Sequence, residues 1–160
     1  MKKIILTDIE PEFSSNSDEL AKIVTARLGL LPRKRGSNEN MPKILIELYE
    51  RTKTANKEKN LKLAVMTVED MALTAGITKQ TMYDYVKRWI DINLIIKISF
   101  IDENNKKIIG YRLNGNNLEE AFQKVEKLIN KNLNQTSKYI SELQRLIKNE
   151  KIKESLKIKK

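Results

Sequence analysis

The 160-residue chain contains no cysteine and no histidine, so the chemistry open to it is that of charges, hydroxyls and amides. Disulfides, nitrogen or sulfur zinc ligands, and nucleophile dyads that need either residue are excluded. Carboxylates are plentiful, but the five glycines, at 29, 36, 76, 110 and 115, form no phosphate-cradling loop. An enzyme is therefore not expected, and no cofactor or metal is implied. The chain is instead rich in cations, with 31 Lys and Arg against 21 Asp and Glu for a formal net charge of +10. They cluster at Arg33-Lys34-Arg35 beside Pro32 and Gly36, at Lys106-Lys107, and in the terminal KIKESLKIKK. Such a balance suits an acidic partner, with nucleic acid the first candidate. The charge is uneven, at +1 over 1–40, +3 over 41–66, −1 over 67–93, +2 over 94–114 and +5 over 115–160.

The elements that must position these groups follow from length and pattern. The length allows one core-bearing domain of about 100 residues plus an accessory element, and 40% hydrophobic residues make a folded chain the expectation. Apolar runs such as Ile44 to Leu48 fall far short of the roughly 18 residues of a membrane span. The start, MKKIILTDIEPEF, is apolar only from Ile4 to Leu6 before Asp8, too short for a secretory signal. A cytoplasmic protein with no membrane partner is expected.

Thr67 to Asn93 reads as two short helices joined by a tight turn, the layout of a helix-turn-helix. Thr67 suits an N-cap, Glu69 and Asp70 fall in the first turn, and Val68, Met71, Ala72 and Ala75 recur at helical spacing. Gly76 stops that helix, Ile77 plugs the turn and Thr78 caps the next one. In the second helix Met82, Val86, Trp89 and Ile90 form an inward stripe that Asn93 ends.

Upstream, Ser17-Asp18-Glu19 caps a helix running to about Leu28, and Leu30 to Ser37 reads as a basic loop. A helix follows from Asn40 with Pro42 in its first turn, ending by Lys57 to Asn60, and Leu61 to Met66 reads as a short strand. Downstream, Leu94 to Ile101 and Ile108 to Leu113 are β-branched and aromatic around the turn Asp102 to Lys107, which predicts a β-hairpin. From Asn117 the chain is helical for at least 30 residues, or roughly 45 Å. Phe122, Val125, Ile129, Asn132, Thr136, Tyr139, Leu143 and Leu146 alternate there by three and four, as heptad a and d positions do. A dimerising coiled coil is expected through Phe122, Val125, Ile129, Tyr139, Leu143 and Leu146, with a frayed basic tail after Glu150. The predicted division is an arm and basic loop (1–40), a core domain (41–115), a long helix (116–150) and a tail (151–160). The fold class is mainly α with a small β-hairpin.

A helix-turn-helix followed at once by a hairpin resembles the winged helix-turn-helix transcription regulators, particularly the small dimeric MarR-like and PadR-like ones of prokaryotes and archaea. The resemblance rests on T-V-E-D-M-A-L-T-A-G-I-T-K-Q-T-M-Y-D-Y-V-K-R-W at 67–89 and N-L-I at 93–95. It covers residues 41–115 well, the long helix loosely and residues 1–40 hardly at all. It implies that a helix of about 79–92 enters the major groove of double-stranded DNA, with the wing at 94–113 on the backbone or minor groove. The outward residues would be Thr78, Lys79, Gln80, Thr81, Tyr83 and Lys87. Gln80 would pair with adenine, Lys79 and Lys87 with guanine or phosphate, and Thr78 or Thr81 with phosphate. Lys106, Lys107 and Arg112 would serve the wing, and Arg33, Lys34 and Arg35 are further candidates for phosphate contact. Asp84 departs from the arginine often found at its place and would repel phosphate on that face. A homodimer would set two such helices about 34 Å apart, and regulators of this type often bind a small-molecule effector. The alternative, motivated by the −1 charge of 67–93, is a protein-interaction or assembly module with only non-specific nucleic-acid binding.

Overall fold

A computed structural model describes residues 4, 6–8, 16–31 and 39–158. The order is α1 (Ser17–Arg27), α2 (Met41–Glu58), a 3-10 turn (Leu61–Ala64), α3 (Val68–Ala75), α4 (Lys79–Asp91), β1 (Ile95–Ile101), β2 (Lys107–Leu113) and α5 (Leu118–Ile158). The described protein is mainly helical with one two-stranded antiparallel sheet. It divides into a compact unit to Val125 and a second unit, from Glu126, that is the continuation of α5. No described helix is long and apolar enough to cross a membrane.

Four of the five described α-helices start at a side-chain oxygen that accepts from an otherwise unpaired N–H group. Asn16, rather than Ser17, caps α1, its side chain accepting from Asp18 N at 2.8 Å. Asn40 stands at the N-cap of α2 but its side chain makes no capping bond; Pro42 occupies the first turn as expected. The α3 start is a full capping box. Thr67 Oγ1 accepts from Asp70 N and Asp70 Oδ2 accepts from Thr67 N, both at 3.1 Å. Arg51 ties α2 to that box, donating to Glu47 at 2.9 Å, to the Val65 carbonyl at 2.8 Å and to Asp70 at 3.3 Å.

The core of the compact unit lies where α2 packs against α1, α3 and β2, and α4 against α3 and β1. Met41, Ile44 and Leu48 of α2, Met71 of α3, Met82, Val86 and Trp89 of α4, and Ile95 and Leu113 of the hairpin are all buried. Fully burying such a side chain contributes about 1.5–3 kcal/mol, which is what holds short helices in place. Ala121 and Val125, in the first turns of α5, join the same core.

The region predicted as a strand at Leu61 to Met66 is instead the 3-10 turn followed by one bridge, between Met66 and Tyr111, with both N–H···O contacts at 2.8 Å. Four residues coiled into a turn leave Val65 and Met66 extended ahead of α3, and of these Met66 alone bridges to the hairpin. Gly110 permits that approach, because a Cβ there would lie 2.2 Å from Val65 Cγ1 and 2.9 Å from the Met66 carbonyl oxygen. The helix after Asn117 is longer than expected. Residues 151–158, read as a frayed tail, continue α5, since the segment has no glycine or proline to stop it.

Candidate nucleic-acid interface

The α3–α4 pair is joined by Gly76, Ile77 and Thr78. Gly76 adopts φ 69°, a left-handed conformation that costs glycine little, and the Ile77 N–H reaches back to Ala72 O at 3.1 Å. Thr78 caps α4 by accepting from Thr81 N at 3.2 Å, and its hydroxyl donates to Thr81 Oγ1 at 2.8 Å. The two hydroxyls are thus bonded to each other within the cap, with both residues exposed.

Met82, Val86 and Trp89 face the core, which turns Lys79, Gln80, Tyr83, Asp84 and Lys87 outward, all exposed. Lys79 is not a free cation. Its ammonium sits 2.5 Å from Glu69 of α3, and 6.0 Å from the Tyr83 ring centroid. The hydrogen bond from Lys79 holds the Glu69 carboxyl below its ordinary pKa, and the same bond raises that of Lys79. Helical spacing puts Asp84 one turn after Gln80 and three residues before Lys87, so the outward stripe carries both signs.

The hairpin follows α4 directly. Asn93, at φ 66°, makes the corner, and its carbonyl accepts from Asn114 Nδ2 at 3.0 Å, fastening the base of the hairpin. Ile95 pairs with Leu113, Lys97 with Tyr111, Ser99 with Ile109 and Ile101 with Lys107. By strand alternation those residues share one face, while Ile96, Ile98, Phe100, Ile108, Gly110 and Arg112 share the other. Asp102 closes the tip, its Oδ1 accepting from the backbone N–H groups of Asn104 and Lys106 at 2.9 Å each. Lys106 and Lys107 are exposed there, Lys107 as the first residue of β2.

Between the helix pair and the hairpin lies a groove of about 310 Å³. Thr67 and Glu69 line it from α3 and its cap, Tyr83 from α4, and Lys97, Lys107 and Tyr111 from the strands. Burial pushes the Tyr111 phenol up from its ordinary pKa, so it stays a neutral hydrogen-bonding group. The two ammonium groups and the exposed phenol can donate hydrogen bonds to an oxyanion chain, while the Glu69 carboxylate on the same concave surface would repel one.

The structure therefore joins Tyr83 and Lys107 and adds Lys97, Glu69 and Tyr111, which sequence reasoning had not singled out. Lys97 was legible as a polar alternate in an apolar strand, but which face it shared needed the register. Arg112 stands apart, on the opposite hairpin face and half-buried, with its Nη1 donating to the Leu113 carbonyl at 3.1 Å. Arg33, Lys34 and Arg35 lie outside the described residues. Of the dimerisation candidates, Val125 is fully buried within its own unit, which removes it from any seam between chains. Phe122, Tyr139, Leu143 and Leu146 are exposed and Ile129 half-exposed. Among the described residues no group of carboxylates could hold a metal ion. No protein-family model, curated protein or solved structure matches the chain.

Proposed function

We propose that the chain is a sequence-specific, double-stranded DNA-binding transcription regulator of the winged helix-turn-helix kind, with α4 entering the major groove and the β1–β2 hairpin acting as the wing. The observation that carries this reading is the shared groove, which Tyr83 of the second helix lines together with Lys97 and Lys107 of the hairpin. Base reading falls to the exposed stripe of α4. Gln80 has the paired donor and acceptor that adenine requires, and Lys87 can reach guanine or phosphate. Thr81, exposed in the first turn of α4, and Lys97, Lys106 and Lys107 serve the phosphates.

The test is a selection from random-sequence duplexes with the full chain, followed by binding to the enriched site. We expect one recovered sequence, and about a tenfold or greater loss of affinity for the Lys79→Ala/Gln80→Ala double variant, given 1–3 kcal/mol for a bidentate base contact. No enriched sequence, or unchanged affinity and preference in the double variant, would sink the proposal. A second reading, a protein-interaction module, draws support from the Glu69–Lys79 pair, which neutralises the first cation of α4. Weak, sequence-independent DNA binding alongside a stable protein partner would favour it.

A further inference from the structure

The part of α5 beyond Val125 carries apolar side chains that nothing in its own unit covers: Leu133, Ile140, Leu143 and Ile147 are each about half exposed or more. Together with Ile129 and Thr136 they recur at intervals of four, three, four, three and four. That assigns Leu133, Ile140 and Ile147 to heptad position a, and Ile129, Thr136 and Leu143 to d. This seam is shifted from the expected one, which counted through Val125. With Val125 in the core, the shifted count moves Asn132 and Tyr139 out to the flanking g positions. Thr136, the one polar residue left inside, has its hydroxyl satisfied by donating to the Asn132 carbonyl at 2.9 Å, so it needs no partner across an interface.

Charge decides what fits this face. From Ile129 to Asn149 the charged residues are Lys131, Lys138, Glu142, Arg145 and Lys148, and every one falls at b, c or f. The Glu142–Arg145 ion pair bridges c and f on the side away from the seam. The flanking e and g positions hold only Asn130, Asn132, Ser137, Tyr139, Gln144 and Leu146. Two copies of a chain of net charge +10 would repel wherever their cations met; over residues 129–149 a second copy in this register meets none. A partner chosen by charge would need charged e and g residues to read. Three of the five apolar layers, Ile140, Leu143 and Ile147, have isoleucine at a and leucine at d, which favours two parallel strands, and the reverse choice at Ile129 and Leu133, which favours higher states, is confined to the first turn of the seam. Past Ile147 the pattern stops, because Glu150 and Glu154 take the next d and a positions.

We infer that residues 129–147 pair with the same segment of a second copy of this chain as a parallel, in-register, two-stranded coiled coil, with Ile129, Leu133, Thr136, Ile140, Leu143 and Ile147 as its layers. This pairing does not depend on the DNA reading. Because the chain has no native cysteine, single substitutions in the full-length protein report the geometry directly. Ile140→Cys and Ile147→Cys should each form a covalent dimer on mild oxidation, since a disulfide demands close, facing Cβ atoms. Tyr139→Cys, Leu146→Cys and Arg145→Cys should remain reduced. Cross-linking at both 140 and 147 requires a parallel arrangement, because an antiparallel pair brings only its crossing point opposite itself. Sedimentation equilibrium of the unmodified chain should give twice the chain mass. A monomer throughout the micromolar range, whatever else it binds, would overturn the inference. So would a mass above two copies, or cross-linking at 139 and 146 in place of 140 and 147.

Discussion

Lys79 shows how a neighbour in space changes what a residue offers. In the sequence it is an outward cation at the start of the second helix; in the fold it is held by Glu69 from the helix before. Replacing Lys79 with Met should return the Glu69 carboxyl toward its ordinary pKa, readable by NMR titration of the side-chain carbon. The folded Glu69 value is depressed, so its contribution to stability is present above the unfolded value and is lost as pH falls through the folded one. Lys79 is raised, so its contribution is present below the unfolded value and is lost as pH rises through the folded one. Both side chains are largely in water, where screening keeps such contributions small. The larger consequence is functional. On the DNA reading, Glu69→Gln frees one cation, so duplex affinity at low salt should rise and the log–log salt dependence steepen by about 0.9, one phosphate contact. An unchanged slope would mean that Lys79 does not reach the backbone.

The helices and the hairpin are held by local chemistry whose strength can be ranked. Thr67→Ala removes one arm of the capping box and should cost about 1 kcal/mol in a denaturant titration. Gly76→Ala should cost about the same, since the nearest atom to an added Cβ is 3.8 Å away and only the left-handed backbone objects. Gly110→Ala should cost more, about 2–3 kcal/mol, because its Cβ would strike Val65 and the Met66 carbonyl and prise the bridge from the hairpin. The same measurement on all three variants checks the order, and Gly110→Ala no worse than Gly76→Ala would contradict the close approach. The helix pair and the hairpin were legible because caps, a glycine stop and period-two strands are local signals. Leu61–Met66 carries a strand-like pattern because four apolar or alternating residues look alike in a strand and in a 3-10 turn, and the Asn60 cap decides for the turn.

For the molecule as a whole, the hairpin sets two lysines, Lys97 and Lys107, on the groove beside Glu69, while residues 67–93 sum to −1. On the DNA reading, affinity for the polyanion then comes from the hairpin more than from the helix pair. Lys97→Ala/Lys107→Ala should weaken binding to all duplexes alike and lower the salt slope by about 1.8, two contacts at 0.9 each, without altering the preferred sequence. A changed preference would place those lysines at base edges. The residues alone carry the helix pair and the hairpin that follows it, the inward stripe of Met82, Val86 and Trp89, the turn at Gly76 and the amphipathic long helix. Each of these is written in residues within a few turns of one another. Only the tertiary structure decided that Lys79 is paired with Glu69, that Lys97 shares a face with Tyr111, that Gly110 is where the Val65–Met66 backbone comes in, and that Val125 belongs to the core. Those facts depend on which surfaces meet across the chain, and periodicity along one segment carries no information about the segment it packs against.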